Sequence, residues 1–317
     1  MPQSRATRND IKARSNFAID GVLLLDKASG VSSNHALQQV RRLYGAAKAG
    51  HTGTLDPLCS GLLPICFGEA TKFSAFHLSA DKRYAATLKL GVTTTTGDAE
   101  GEVLSQRVAV TDRPAIEAAL RAQLGRREQI PPMHSALKHA GKPLYHYARA
   151  GIDLPRAPRA IEIYAIELDS LHDDLLGIEV HCSKGTYIRV LAEEIGAALG
   201  CGAHLIALRR LASGDLSLEQ ADDYETLSAL EPAQRLAKLL PIDRLLNALP
   251  ACELSADDAS RFCQGQARAC ALHDHAQIRV YGPRHQLLGV ASIADQVLRP
   301  TRVMQQKPAE IPENHCK

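Results

Sequence analysis

Asp56, Tyr84 and Arg189 are the residues of this chain whose types and settings suit chemistry. Asp56 lies in Gly50-His51-Thr52-Gly53-Thr54-Leu55-Asp56-Pro57-Leu58-Cys59-Ser60-Gly61-Leu62-Leu63-Pro64, which holds three glycines and two prolines. Glycine permits tight turns and Pro57 pushes Asp56 toward an extended backbone, so Gly50–Pro64 reads as a shaped loop rather than a helix or strand. Leu55, Leu58, Leu62 and Leu63 imply that the loop packs partly against a core. A carboxylate there has to be paired or used, because an unpaired charge in a low-dielectric site is costly. Ionised, it can be a nucleophile, a base or a metal ligand, and an arginine partner would hold and orient it. No second acid stands at metal-ligand spacing near Asp56, and none lies in a comparable loop. Both facts speak against a metal centre and against a paired-carboxylate glycosidase. By residue type alone, Tyr84 could equally be core, Arg189 a structural ion pair, and His51 a loop residue bonded to backbone.

The elements that must position these residues follow from periodicity. Gly21–Lys27 is a continuous apolar run and predicts a buried strand. Ser32 or Ser33 caps a predicted helix to about Tyr44, with Leu37, Val40 and Leu43 on one stripe. A helix is expected from Glu69 to about Leu78, a strand over 82–90 carrying Tyr84, a turn over 97–101, and a helix over 112–124. Strands over 160–169 and 177–189 predict a hairpin turning at His172-Asp173-Asp174, the second strand delivering Arg189 to a helix that ends at Leu199. A further strand, His204–Ala212, completes an α+β fold with a central mixed, mainly antiparallel sheet flanked by helices. Domain boundaries are expected as a mobile basic tail (1–18), a catalytic domain (19–214) with a basic insertion at about 125–151, an acidic, helical and peripheral connecting segment (215–249), a small β-rich domain (250–305), and a disordered tail (306–317).

The 317 residues carry a net charge of only +2, but the charge is uneven. Residues 1–50 hold eight Lys/Arg against three Asp/Glu, residues 121–160 eight against two, and residues 215–260 three against ten. Two basic stretches in a near-neutral chain fit either a polyanion-binding face or ordinary solvated surface. Around 138–150, Lys138, His139, Lys142, Tyr145, His146, Tyr147 and Arg149 mix aromatic and basic groups in a way suited to bases and phosphates. The eight cysteines include no Cys-x-x-Cys pair, and a zinc site from Cys59, Cys66 and His51 matches no standard ligand spacing. No apolar run approaches the ~20 residues needed to cross a bilayer, and the N-terminus lacks a signal-peptide core. A cytoplasmic protein with reduced thiols is expected.

Several long motifs, in order, resemble one family. Gly21–Lys27, Gly50–Pro57, Asp81-Lys82-Arg83-Tyr84 and His181-Cys182-Ser183-Lys184-Gly185-Thr186-Tyr187-Ile188-Arg189 are similar to the TruB family of tRNA pseudouridine synthases, with agreement from Gly21 to about Leu211. The C-terminal domain resembles that family's PUA-type appendage more weakly. The resemblance implies isomerisation of a uridine in the T-arm loop of tRNA (position 55) to pseudouridine, with no cofactor and no metal, by a monomer. It implies that Asp56 is the essential aspartate, which could add to the base or attack the sugar carbon, that Tyr84 packs on the target base, and that Arg189 pairs with Asp56. It further implies that His51 fills the space left by the flipped base and that Tyr187, Leu208 and Lys27 contact substrate. Lys138, Lys142 and Arg149 would hold phosphates. The competing expectation is a tRNA-folding chaperone in which catalysis is secondary, needing only the basic and aromatic surface.

Overall fold

A computed structural model describes residues 19–305; the tails expected at 1–18 and 306–317 lie outside the described residues. Gly21–Lys27 is a strand covered on both faces, which is why its apolar run does not alternate. Leu23 and Leu25 pack with Leu37, Val40 and Tyr44 of the helix Ser33–Tyr44, while Val22 and Leu24 pack with Phe73, Leu245 and Leu246. Ser32 caps that helix by accepting from His35 N, and Gly45 ends it in the left-handed region.

The main sheet has ten strands. Its order is Asp222–Asp223, Gly21–Lys27, Ser60–Phe67, Ala203–Ser213, Lys82–Leu90, Leu175–Cys182, Arg159–His172 and Gly125–Gln129, with two short strands off this path. Two of these pairings are parallel and the others antiparallel, giving the expected mixed α+β sheet. The helices Arg113–Arg121 and Ile188–Ala198 bury Ile116, Leu120, Leu191 and Ile195 against Leu88, Leu90, Ile178 and Val180.

Four local expectations differ from the structure. The loop expected over Gly50–Pro64 is shorter: Ala49–His51 and Ser60–Phe67 are paired strands, leaving Thr52–Cys59 between them. Gly61 and Pro64 mark close approach rather than a loop. At Gly61 (φ +97°) a Cβ would lie 2.4 Å from Arg210 O, and the Pro64 carbonyl accepts from Thr52 N at 3.1 Å. The helix expected over Glu69–Leu78 breaks at Phe73 into a 3₁₀ turn, Gly68–Lys72, and a short helix, Ser74–Leu78. There Thr71 and Ser74 hydroxyls bond to Gly68 O and Thr71 O, in competition with the helical ladder. The strand expected to reach Arg189 ends at Cys182, and the turn 183–187 hands over to the helix Ile188–Ala198, so Arg189 lies in a first helical turn. Finally, Gly125–Gln129, read as the start of an insertion, is an edge strand paired with Arg159–Ile163. Its alternation is polar throughout, exposed Arg126 and Glu128 against buried Gln129, and gives no apolar signal.

Residues 215–249 are not peripheral. Asp222–Asp223 extends the sheet beside Leu25 and Asp26, and Ile242, Leu245 and Leu246 are buried among the core residues beneath it. Beyond them a five-stranded sheet and the helix Ala256–Cys263 enclose their own core of Phe262, Ile278, Val280, Leu288, Ile293 and Leu298. Val290 of that sheet joins the core against the main sheet.

Candidate active site

The loop that carries Asp56 is held by uncharged donors and by one buried cation. Ser33 Oγ, in the first turn of its helix, donates to Leu55 O at 2.8 Å and lies 2.8 Å from Leu55 N. Ser29 Oγ donates to Leu58 O at 2.8 Å, and Gly30 N donates to Pro57 O at 2.7 Å. Arg210 donates to Gly53 O at 3.3 Å and to Leu62 O at 2.7 Å. None of these bonds uses the Asp56 carboxylate, which is left for other work.

That carboxylate meets Arg189, whose Nη2 lies 2.9 Å from Asp56 Oδ2. The same nitrogen donates to His134 O at 2.6 Å, and Nη1 lies 3.3 Å from Asp98 Oδ2. The guanidinium therefore stands between two acids of different exposure: the Asp98 side chain is 4% exposed and that of Asp56 43%. Asp98 is itself fixed, since its Oδ1 accepts from Thr96 Oγ1 and Glu100 N. Arg189 is placed by its helix, whose start is anchored by buried Gln129. Gln129 accepts from Tyr187 N at 2.8 Å and donates to Tyr187 O at 3.2 Å.

The loop and this helix wall a cavity of about 380 Å³. Asp56, Tyr84, Tyr187, Arg189 and Leu208 all line it, so the structure brings together residues dispersed over 150 positions of chain. Tyr84 and Arg210 are directly opposed across antiparallel strands, Leu208 is opposed to Ala86, and Lys82 lines the cavity two residues before Tyr84. The strand period of two puts these side chains on one face of the sheet. Burial raises the Tyr84 phenol above its usual range against the opposing effect of Arg210, so it is a neutral hydroxyl at neutral pH. Burial, with Arg210 adding to it, pushes the Lys82 ammonium down to about 8. Cys59, also on the wall, is pushed up to about 12 by burial and then by Asp56, which leaves it a thiol and no nucleophile.

The other expected site residues are placed apart from this cavity. His51 ends its strand with Nδ1 buried and without a hydrogen-bond partner in the structure. Burial, followed by the charge of Arg210, lowers its pKa and keeps the ring neutral. Lys27 is almost wholly buried, and its Nζ donates to Ala28 O and Val31 O, bracing the turn that holds the Asp56 loop from behind. Lys138 and Lys142 are exposed on a two-stranded hairpin, and Arg149 lies over the Tyr145 ring at 5.5 Å on the short helix that follows. Among the described residues, no group of three His, Cys, Asp or Glu side chains could hold a metal ion, and no helix is long and apolar enough to cross a membrane.

Asp98 and Arg210 were not singled out from the sequence. Asp98 had shown only as part of a turn. Arg210 had left one signal: adjacent Arg209 and Arg210 within a strand must point to opposite faces, so one of them has to enter the interior.

The mixed sheet thus carries an Asp–Arg pair on the wall of a cavity that Tyr84 also lines, an arrangement with the makings of an enzyme site. Residues 41–188 match the TruB family pseudouridylate synthase N-terminal domain, 189–248 the tRNA pseudouridylate synthase B C-terminal domain, and 250–304 the pseudouridine synthase II TruB C-terminal domain. The chain belongs to the TruB family of pseudouridine synthases. It is 53% identical to tRNA pseudouridine synthase B of Burkholderia mallei (strain NCTC 10247), over 90% of this chain and 97% of that one. It is 51% identical to tRNA pseudouridine synthase B of Cupriavidus metallidurans, over 96% and 99%. The fold is shared with a Cbf5-Nop10-Gar1 complex (TM-score 0.69, 24% identity, 87% of this chain and 78% of that one). An H/ACA RNP bound to a substrate RNA containing 2'-deoxyuridine is similar to the same degree (TM-score 0.69, 22% identity, 90% and 85%).

Proposed function

We infer that this chain is a tRNA pseudouridine synthase, an isomerase acting in the cytoplasm on the uridine at position 55 of the T-arm loop, with Asp56 as nucleophile. The observation that carries this reading is the Asp56–Arg189 pair, 2.9 Å apart on the wall of a cavity whose floor presents Tyr84. The uridine is flipped into the cavity at a cost of a few kcal/mol, and His51 enters the gap it leaves. A carboxylate oxygen of Asp56 bonds to C1′ as the N1–C1′ bond breaks with its electron pair on N1. The base turns over Tyr84, C5 displaces the carboxylate from C1′, and the C5 proton is lost while N1 is protonated. Nothing is consumed, so no cofactor is required.

Tyr187 and Leu208 supply walls against which the base turns, and Lys138, Lys142 and Arg149 hold phosphates. The PUA-like sheet at 250–305 extends the RNA-binding surface, and the protein works as a monomer. A chaperone reading needs only basic surface and gives no account of a carboxylate freed from every structural duty except its arginine. The test is mapping of pseudouridine in tRNA incubated with wild-type and Asp56→Asn protein. The variant is expected to form none while its tRNA affinity stays within about twofold; retained turnover would sink the assignment.

A further inference from the structure

Arg210 is the largest of the fully buried side chains, at 1% exposure, and it sits on the cavity wall. None of the ion pairs among the described residues includes it, or includes its buried neighbours Lys27 and Lys82. The adjacent Arg209 does find a carboxylate, at 2.5 Å from Asp26. A buried guanidinium normally requires an anion, because neutral oxygens do not repay its desolvation. Its partners are neutral oxygens, Leu62 O and Gly53 O at 2.7 and 3.3 Å and the Tyr84 hydroxyl. The strand irregularity between Arg210 and Ala212 re-aims this stretch while keeping Arg210 directly opposite Tyr84.

We propose that Arg210 is a positioning residue that sets the Tyr84 hydroxyl, and with it a positive cavity floor, to receive the negative charge of the uracil once it has left C1′. The inference rests on the reading of this cavity as the isomerisation site. When N1–C1′ breaks, the bond pair stays on the base and spreads over N1, O2 and O4, and a base that must turn cannot keep a bond to the sugar while carrying that charge. The site supplies the missing anion's counterpart in advance: a fixed cation behind a neutral phenol that donates, with Lys82 two residues along the same strand. Such preorganised donors act where charge develops and need no reorganisation at that moment. Tyr84 serves as a donor in this scheme, and the C5 proton leaves to solvent as N1 takes one up.

The experiment compares single-turnover breakage of the N1–C1′ bond in two T-arm RNAs, one with uridine at the target and one with 5-fluorouridine, followed by loss of the N1-linked nucleoside after nuclease digestion. The fluorine makes the departing base a better anion on its own, so it depends less on the protein's charge. For Arg210→Met a rate loss of about 10²-fold is expected with uridine, shrinking at least tenfold with 5-fluorouridine, while the affinity for both RNAs stays near wild type. Arg210→Lys keeps charge and one donor; it is expected to recover part of the rate and is read the same way if the methionine variant does not fold. In a Tyr84→Phe background the Arg210→Lys effect should largely vanish, since the hydroxyl it acts through is gone. Equal losses on the two RNAs, or full additivity with Tyr84→Phe, would overturn the proposal and leave Arg210 a brace for Gly53 and Leu62. Failure of the underlying reading would look different: Asp56→Asn would still break the N1–C1′ bond in both RNAs.

Discussion

Asp98→Asn separates what holds the active-site arginine from what reacts. Asparagine keeps the shape of Asp98 and its acceptor for Thr96 Oγ1 and Glu100 N, and replaces the Oδ2 that faces Arg189 with an amide NH2, which removes both the charge and the acceptor there. At the 3.3 Å separation of Arg189 Nη1 and Asp98 Oδ2, an effective dielectric of about 20 gives a gross attraction of about 5 kcal/mol. Both side chains are under a tenth exposed, so desolvation cancels part of that gain. Deleting one partner of a buried pair costs about 3–5 kcal/mol, and the low end applies here because Arg189 keeps Asp56 and the carbonyl of His134. A loss of about 3 kcal/mol lowers the melting temperature by roughly 6–12 °C. Asp56→Asn removes a carboxylate that is 43% exposed, and should shift stability by under about 1 kcal/mol. Activity follows a different order. With its brace gone the guanidinium fork can tilt, and a misplacement of about 1 Å at a reacting group costs on the order of 10² in rate. Thermal melts and single-turnover pseudouridine formation, read side by side, should show Asp98→Asn both less stable and about a hundredfold slower, and Asp56→Asn stable and inactive. Wild-type melting together with wild-type rate in Asp98→Asn would refute the claim that this buried acid positions Arg189.

Two further outcomes follow from charges outside the reacting set. Replacing Lys138, Lys142 and Arg149 by alanine should weaken tRNA binding and flatten the log–log salt dependence of affinity by about 2–3, at 0.7–0.9 per phosphate contact; an unchanged slope would mean these residues face away from the RNA. His77 is buried with Nε2 lacking a partner in the structure, and burial first, then the charge of Lys82, lowers its pKa to about 4. Between that value and the ordinary ~6.5 the unfolded chain holds a proton that the folded one does not, so stability falls as pH drops through this window, by up to about 3 kcal/mol, and levels off below it. Urea midpoints at pH 7 and pH 5 should diverge for wild type and converge for His77→Leu; equal divergence in the two proteins would place the acid sensitivity elsewhere.

Asp56, Tyr84 and Arg189 could be read from sequence because each stands in a local pattern that constrains its backbone: a proline after the aspartate, an alternating strand around the tyrosine, a glycine turn before the arginine. The sheet could be read for the same reason wherever apolar residues alternated or ran unbroken. Gln129 and Asp98 had no such mark. Gln129 is defined by its bonds to Tyr187, 58 positions away, and its strand alternates between polar residues, so hydropathy is silent there. The overextended loop at Ser60–Pro64 failed through a sound rule misapplied: glycine and proline usually break strands, but here Gly61 admits the Arg210 backbone and Pro64 offers Thr52 a carbonyl. Composition cannot distinguish a turn from a place where two strands crowd.

The division of labour among charges explains how this loop can leave the Asp56 carboxylate free for the role proposed for it. A carboxylate used to hold its own loop in place would be satisfied by backbone donors and poor as a nucleophile. In this chain the loop is tied down by Ser29, Gly30, Ser33 and Arg210, through carbonyls and one amide. Arg189 is in turn anchored on its far side by Asp98, the better buried of its two acids, so Asp56 receives a guanidinium already fixed in direction. The same separation fits the exposures: Asp98, which positions Arg189, is sealed in, while Asp56, proposed as the nucleophile, is nearly half exposed. Moving the anchoring role onto Asp56, for instance by replacing Ser33 with alanine, which frees the Leu55 amide and carbonyl, should therefore slow the reaction even though Ser33 faces no substrate.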